Sequence, residues 1–144
     1  MKHRQFINQI DRKAITAAIA TAEERTSGEI RVLIHHQPVE DPVAFAQAEF
    51  IRLEMEKTRY RNAVLIFVAP VSQKFSVIGD KAVYERCGDG FWQELAASMS
   101  EHFKRGEFTA GLLQGIARAG TLLGEHFPRD SDDRNELSNE VIEQ

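Results

Sequence analysis

The sequence predicts an α/β protein, a three-layer α/β/α sandwich around a small mixed sheet. Three observations carry that reading. Ala63–Ala69 is a run of seven apolar residues, rich in β-branched side chains and closed by Pro70, as in a strand buried on both faces. A helical pattern joins an earlier strand to it, which favours a parallel, right-handed crossover. A four-residue turn, Pro70-Val71-Ser72-Gln73, joins it to a later strand, which forces an antiparallel hairpin.

Residues 5–25 place Ile7, Ile10, Ala14, Ile15, Ala18, Ile19 and Ala22 at helical spacing and predict one first helix, stopping at Thr26-Ser27-Gly28. Glu29 to His35 alternates, with Ile30, Val32 and Ile34 on one face, and reads as a strand. Asp41-Pro42 is a helix start, so a second helix is expected over 42–56. After the central strand and its hairpin partner, Lys74 to Gly79, a short helix is expected over Lys81 to Arg86. Asp89 reads as the N-cap of the next helix, whose stripe is Trp92, Leu95, Ala96, Met99 and Phe103. A last helix over about 108–126 carries Leu112, Ile116, Ala119 and Leu123. Gly111, Gly115 and Gly120 beside that stripe allow close helix contact at some cost in propensity.

The chain has 144 residues, enough for one domain with its own core, which the pattern places at residues 1–128. Residues 129–144 carry six acids and two arginines and read as a disordered acidic tail. The remainder is balanced, 16 basic residues to 16 acidic, which argues against a nucleic-acid partner. Cys87 is the single cysteine, so no internal disulfide can form and a reducing compartment is expected. No apolar segment follows Met1-Lys2-His3-Arg4-Gln5, and none approaches the length of a spanning helix. The expectation is a cytoplasmic chain without direct membrane insertion.

Topology suggests where chemistry would gather. The entries to two parallel strands share an end of the sheet with the exit of the antiparallel third. Those segments are Thr26-Ser27-Gly28-Glu29, Lys57-Thr58-Arg59-Tyr60-Arg61-Asn62 and Gly79-Asp80-Lys81. They form a candidate binding pole of Ser27, Glu29, Lys57, Thr58, Arg59, Arg61, Asn62 and Asp80. Arg59 and Arg61 could pair with Glu29 and Asp80 simply to close the sheet end. Asp80, with no obvious helix to cap, reads equally as a ligand, a salt-bridge partner or a turn residue. His35-His36 would point to opposite faces and so would not share a metal. There is no phosphate loop, no nucleophile elbow and no zinc-spaced Cys/His set.

The set Thr26-Ser27-Gly28-Glu29-Ile30-Arg31, Lys57-Thr58-x-x-Arg61-Asn62-x-Val64-Leu65-Ile66, Ile78-Gly79-Asp80 and Gly88-Asp89-Gly90-Phe91-Trp92 resembles the TPM domain, over about residues 10–127. It is most similar to the short, stand-alone bacterial branch of that family. Ala63 departs from the Gly or Asn common there. The resemblance implies an α/β/α sandwich and leaves two functions open. One is a non-enzymatic accessory domain with weak divalent-cation binding, working beside a membrane-bound TPM or LemA-type protein. The other is a divalent-metal-dependent phosphatase acting on phosphomonoesters. In the second, Asp80 with Glu29 or Asp89 would hold Ca²⁺ or Mg²⁺, and Arg59 or Arg61 would hold phosphate. No catalytic base stands out, so the accessory reading leads.

Overall fold

The computed structural model describes residues 3–129 and 137–144, apart from the side chains of His3 and Asp89. Its elements are α1 (His3–Gln9), α2 (Arg12–Glu23), β1 (Glu29–Ile34), α3 (Pro42–Arg52), β2 (Ala63–Ala69), β3 (Lys74–Gly79), α4 (Lys81–Cys87), α5 (Asp89–Lys104), α6 (Phe108–His126) and β4 (Ile142–Glu143). The sheet order is β3-β2-β1-β4. β1 pairs parallel to β2, from Glu29 opposite Ala63 to Ile34 opposite Val68. β2 pairs antiparallel to β3, from Val64 opposite Gly79 to Ala69 opposite Lys74. The crossover and the hairpin are therefore as the connection lengths predict.

Every residue of β2 is buried, because both faces of the strand are covered. Val64, Ile66 and Val68 join Ile30, Val32 and Ile34 in the core under α2, α5 and α6. Ala63, Leu65, Phe67 and Ala69 join Leu33 in a second core under Ala46 and Phe50 of α3. The period-2 alternation of a strand thus supplies both layers of one α/β/α sandwich. On the first face α6 is the central helix. A Cβ on Gly115 would come within 2.6 Å of Met99 Sδ, so the glycine lets α5 and α6 approach where another residue would hold them apart.

Several boundaries differ from the sequence reading. The single helix expected over 5–25 is two, because Asp11 leaves the helical region and its carboxylate accepts from Ala14 N–H, capping α2. α3 ends at Arg52 rather than 56; Glu54 is left-handed at φ +60° and a short 3₁₀ turn, Met55–Lys57, follows. Gly88, at φ +72°, occupies the N-cap position of α5, so Asp89 opens the helix and does not cap it. Asp80 does have a helix to cap, since its carboxylate accepts from Lys81 N–H at the start of α4.

The disordered-tail expectation fails at its far end. Residues 130–136 lie outside the described residues, but β4 pairs parallel to β1, with Leu33 opposite Ile142 and Ile34 opposite Glu143. Gln144 N–H donates to Ile34 carbonyl at 2.9 Å, and Arg12 and Glu143 form an ion pair at 2.8 Å. Val141 is buried against the first core. Three apolar residues in an acidic segment, Leu137, Val141 and Ile142, are too few to register as periodicity but enough to dock it on an open strand edge.

Candidate functional site

The entry to β1, the entry to β2 and the exit of β3 meet at one end of the sheet. Asp80 N–H donates to Ala63 carbonyl at 2.9 Å, continuing the ladder one residue past β3. Glu29, Ala63 and Asp80 therefore sit in one row across three strands. At ordinary strand spacing the outer two backbones are about 10 Å apart.

Arg61 fixes the middle of this end. Its backbone is left-handed at φ +53°, and Ala82 N–H donates to its carbonyl at 3.1 Å. That turn aims the guanidinium at Asp80, where Nε meets Oδ2 at 2.7 Å and Nη2 meets Oδ1 at 2.8 Å. The two parallel bonds form a fork-on-fork pair. The bonded carboxylate raises the Arg61 guanidinium further above its ordinary value. Asp80 is 5% exposed, and with the Lys81 cap its carboxylate accepts three hydrogen bonds. Asp80 is a structural junction.

Asn62, wholly buried, donates from Nδ2 to Ser27 Oγ at 3.0 Å and so ties the β2 entry to the β1 entry. The β1 entry is anchored in turn to the end of α6. Thr26 Oγ1 donates to Phe127 carbonyl at 2.5 Å, and Ser27 N–H donates to the same oxygen at 2.9 Å. Thr58 is buried below the loop. Lys57, Arg59 and Arg61 are exposed, Lys57 pairing with Glu54 at 3.0 Å and Arg59 lying over the Tyr60 ring at 4.9 Å. At the β3 exit Trp92 covers Gly79 so closely that a Cβ there would meet the indole at 2.3 Å. Asp89 begins α5 nearby in the chain, and its side chain lies outside the described residues.

One member of this end was missed from sequence. Glu23, in the last turn of α2, is 6% exposed beside Glu29, which is 2% exposed. Its Oε2 accepts from Ile30 N–H at 2.8 Å, and it hydrogen-bonds the Glu29 carboxyl. Burial, followed by the neighbouring Glu29, raises the Glu23 carboxyl to about 8. Two carboxyls in contact away from water hold one proton between them near neutral pH. The signal was available, because Glu23 continues the Ile15, Ile19 spacing by one more turn and so lies on the buried stripe of α2.

The oxygen set for a divalent cation can now be tested. Ca²⁺ takes six to eight oxygens and Mg²⁺ six. Asp80 is engaged by Arg61 and Lys81, and Glu29 is buried against the Glu23 carboxyl. Among the described residues no group of three His, Cys, Asp or Glu side chains could hold a metal ion. The described residues do not fit a resident Ca²⁺ or Mg²⁺. Burial and then Glu125 push the Cys87 thiol up, away from its thiolate form.

Comparison with known proteins agrees with this architecture. A family model described as the TPM domain matches residues 1–122. The chain belongs to the TPM domain family. This TPM domain is similar to the NMR structure of BA42 protein from the psychrophilic bacterium Bizionia argentinensis, at 38% identity and a TM-score of 0.87 over 92% of each chain. It shares its fold with the solution NMR structure of the N-terminal domain of a P. gingivalis protein, at 15% identity and a TM-score of 0.57 over 80% of this chain and 74% of that one. No curated protein matches. Among the described residues no helix is long and apolar enough to cross a membrane.

Proposed function

We propose that this TPM domain is a non-enzymatic interaction domain that presents the Arg61 end of its sheet to a protein partner. The commitment of Asp80 carries the reading. The acid best placed for metal or phosphoryl chemistry accepts two bonds from Arg61 and one from Lys81 N–H. A carboxylate so occupied holds a loop in shape. The loop it holds carries Arg59 and Tyr60, one exposed and one half-buried, stacked on each other. Arginine and tyrosine are the side chains that most often anchor protein interfaces, and pre-organising them lowers the ordering cost of binding. With Lys81 also exposed, the surface suits an acidic partner segment.

The family resemblance supplies the candidate to test, a LemA-type membrane protein. Its soluble portion should bind the purified full chain, and Arg59→Glu should weaken that binding about tenfold or more without lowering the melting temperature. Binding that Arg59→Glu leaves untouched would remove the pole from the account. Phosphomonoester turnover with Ca²⁺, Mg²⁺ or Mn²⁺ would replace the proposal with the phosphatase reading.

A further inference from the structure

The two edges of the sheet differ. β4 is 2 residues long and carries Glu143, a short and charged edge of the kind that resists pairing. β3 is 6 residues long, with no proline and an unbroken register against β2. Its one charge, Lys74, turns back, and Nζ donates to Glu40 carbonyl at 2.7 Å. Asp80 N–H bonds Ala63 carbonyl, so by antiparallel alternation Phe75, Val77 and Gly79 turn their N–H and C=O away from β2. The Gly79 backbone already hydrogen-bonds the Tyr84 hydroxyl. Among the described residues nothing hydrogen-bonds the backbone of Phe75 or Val77. On the first-core side Phe75 walls a cavity of about 400 Å³ with Phe6, Phe103 and Phe108, so this face of the strand is incompletely covered. Three of the four exposed large apolar side chains among the described residues lie beside β3. Val71 is in the turn before it, Val43 follows Pro42, whose carbonyl accepts from Ser76 Oγ at 2.8 Å, and Tyr84 reaches Gly79.

We propose that β3 pairs antiparallel with β3 of a second copy of this chain, about a two-fold axis at Ser76, joining two sheets into one. The free backbone groups select that register. An axis at Val77 would set Phe75 against Gly79, whose backbone is taken by Tyr84. An axis at Phe75 would set Val77 against Gln73, which is left-handed at φ +54° and gives its N–H to Pro70 carbonyl. An axis at Ser76 sets Phe75 against Val77 of the second copy in both directions, so every outward N–H meets a C=O. The side chains agree with it. Each Phe75 then lies beside a Val77, an aromatic and β-branched cross-strand pair, and Lys74 falls opposite Ile78, so no like charges face each other. The small Ser76 stands at the axis, and its bond to Pro42 brings the exposed Val43 alongside. This inference does not rest on the partner proposed for the Arg61 end.

Sedimentation equilibrium of the purified full chain over a concentration series tests it, with amide hydrogen exchange to locate the contact. A reversible monomer–dimer equilibrium is expected, with the Phe75 and Val77 amides protected in the dimer and exchanging freely in the dilute monomer. Val77→Pro removes an N–H that faces solvent in the monomer, where an edge strand tolerates proline, and should weaken the dimer about tenfold or more. Val43→Glu alters only an exposed helix position and sets like charges beside the axis, so it should weaken the dimer by a similar factor with an unchanged circular dichroism spectrum. A chain that stays monomeric at every concentration would leave this edge to another protein's strand and overturn the proposal. So would a dimer whose Phe75 and Val77 amides stay unprotected, or one that Val43→Glu leaves as tight as the parent.

Discussion

The two ends of the sheet are built on opposite plans. At the Arg61 end, three chain segments are locked together by polar bonds, Arg61 to Asp80, Asn62 to Ser27, Thr26 to Phe127 and Glu23 to Ile30. At the hairpin end, four phenylalanines from four elements meet around open space. The first arrangement specifies one loop geometry and exposes side chains on it. The second leaves volume among aromatic side chains. Buried polar networks fix a shape, whereas an incompletely filled aromatic junction leaves open space.

Both ends depend on β2, so changes there should cost most. Leu65→Ala or Phe67→Ala, at fully buried positions of the central strand, should lower unfolding free energy by roughly 2–5 kcal/mol in urea titrations. A loss below about 1 kcal/mol would show that this face of the strand does not anchor the second core.

A smaller effect should come from the C-terminal strand. Deleting residues 137–144 removes buried Val141 and the β4 pairing, and should cost about 2 kcal/mol. An unchanged midpoint would show that this edge of β1 stands without its cover.

At the Arg61 end, Asp80→Ala should lose about 1 kcal/mol through the helix cap alone. The lost Arg61 partner should lower the melting temperature further. The fork pair makes a separate forecast, since Arg61→Lys keeps the charge but not the two parallel bonds and should lose stability as well.

The Glu23–Glu29 pair sets the most specific effect. A carboxyl raised from its ordinary value of 4.5 to about 8 in the folded chain binds more protons folded than unfolded across that interval. Its stabilising contribution is complete below about pH 4.5 and is lost as pH rises through about 8. Stability should therefore fall as pH rises through that window. Glu23→Gln, which imitates the protonated carboxyl, should flatten the slope and raise stability at pH 8. A melting temperature that climbs from pH 5 to 8 in the parent, with no change in Glu23→Gln, would remove the shared proton.

Much of the fold was legible from sequence because it rests on periodicity. The strand from Ala63 to Ala69 and its hairpin partner from Lys74 to Gly79 begin and end where the apolar pattern says. The parallel crossover followed from connection length alone. What periodicity cannot show is a polar atom's partner. Asp11 was absorbed into a helix because the apolar spacing runs across it, although its carboxylate ends one helix and starts another. Asp80 was not read as a cap although a short helix was expected from Lys81, because an apolar pattern gives a helix's span and not the partner of the carboxylate before it. Glu23 was overlooked because a glutamate on a buried stripe looks like an interruption until the second carboxyl is found beside it. The aromatic cavity was invisible for a related reason, since its walls are contributed by residues as distant as Phe6 and Phe108.

The most direct test of a structural Asp80 is the melting temperature of Asp80→Asn beside the parent chain, each with and without Ca²⁺ and Mg²⁺. The account predicts a lower melting temperature for Asp80→Asn in metal-free buffer, because Arg61 loses its charged partner, and no metal response that depends on Asp80. A parent chain stabilised by either cation, with the response abolished in Asp80→Asn and the metal-free melting temperature unchanged or raised, would contradict it. That result would make Asp80 a ligand.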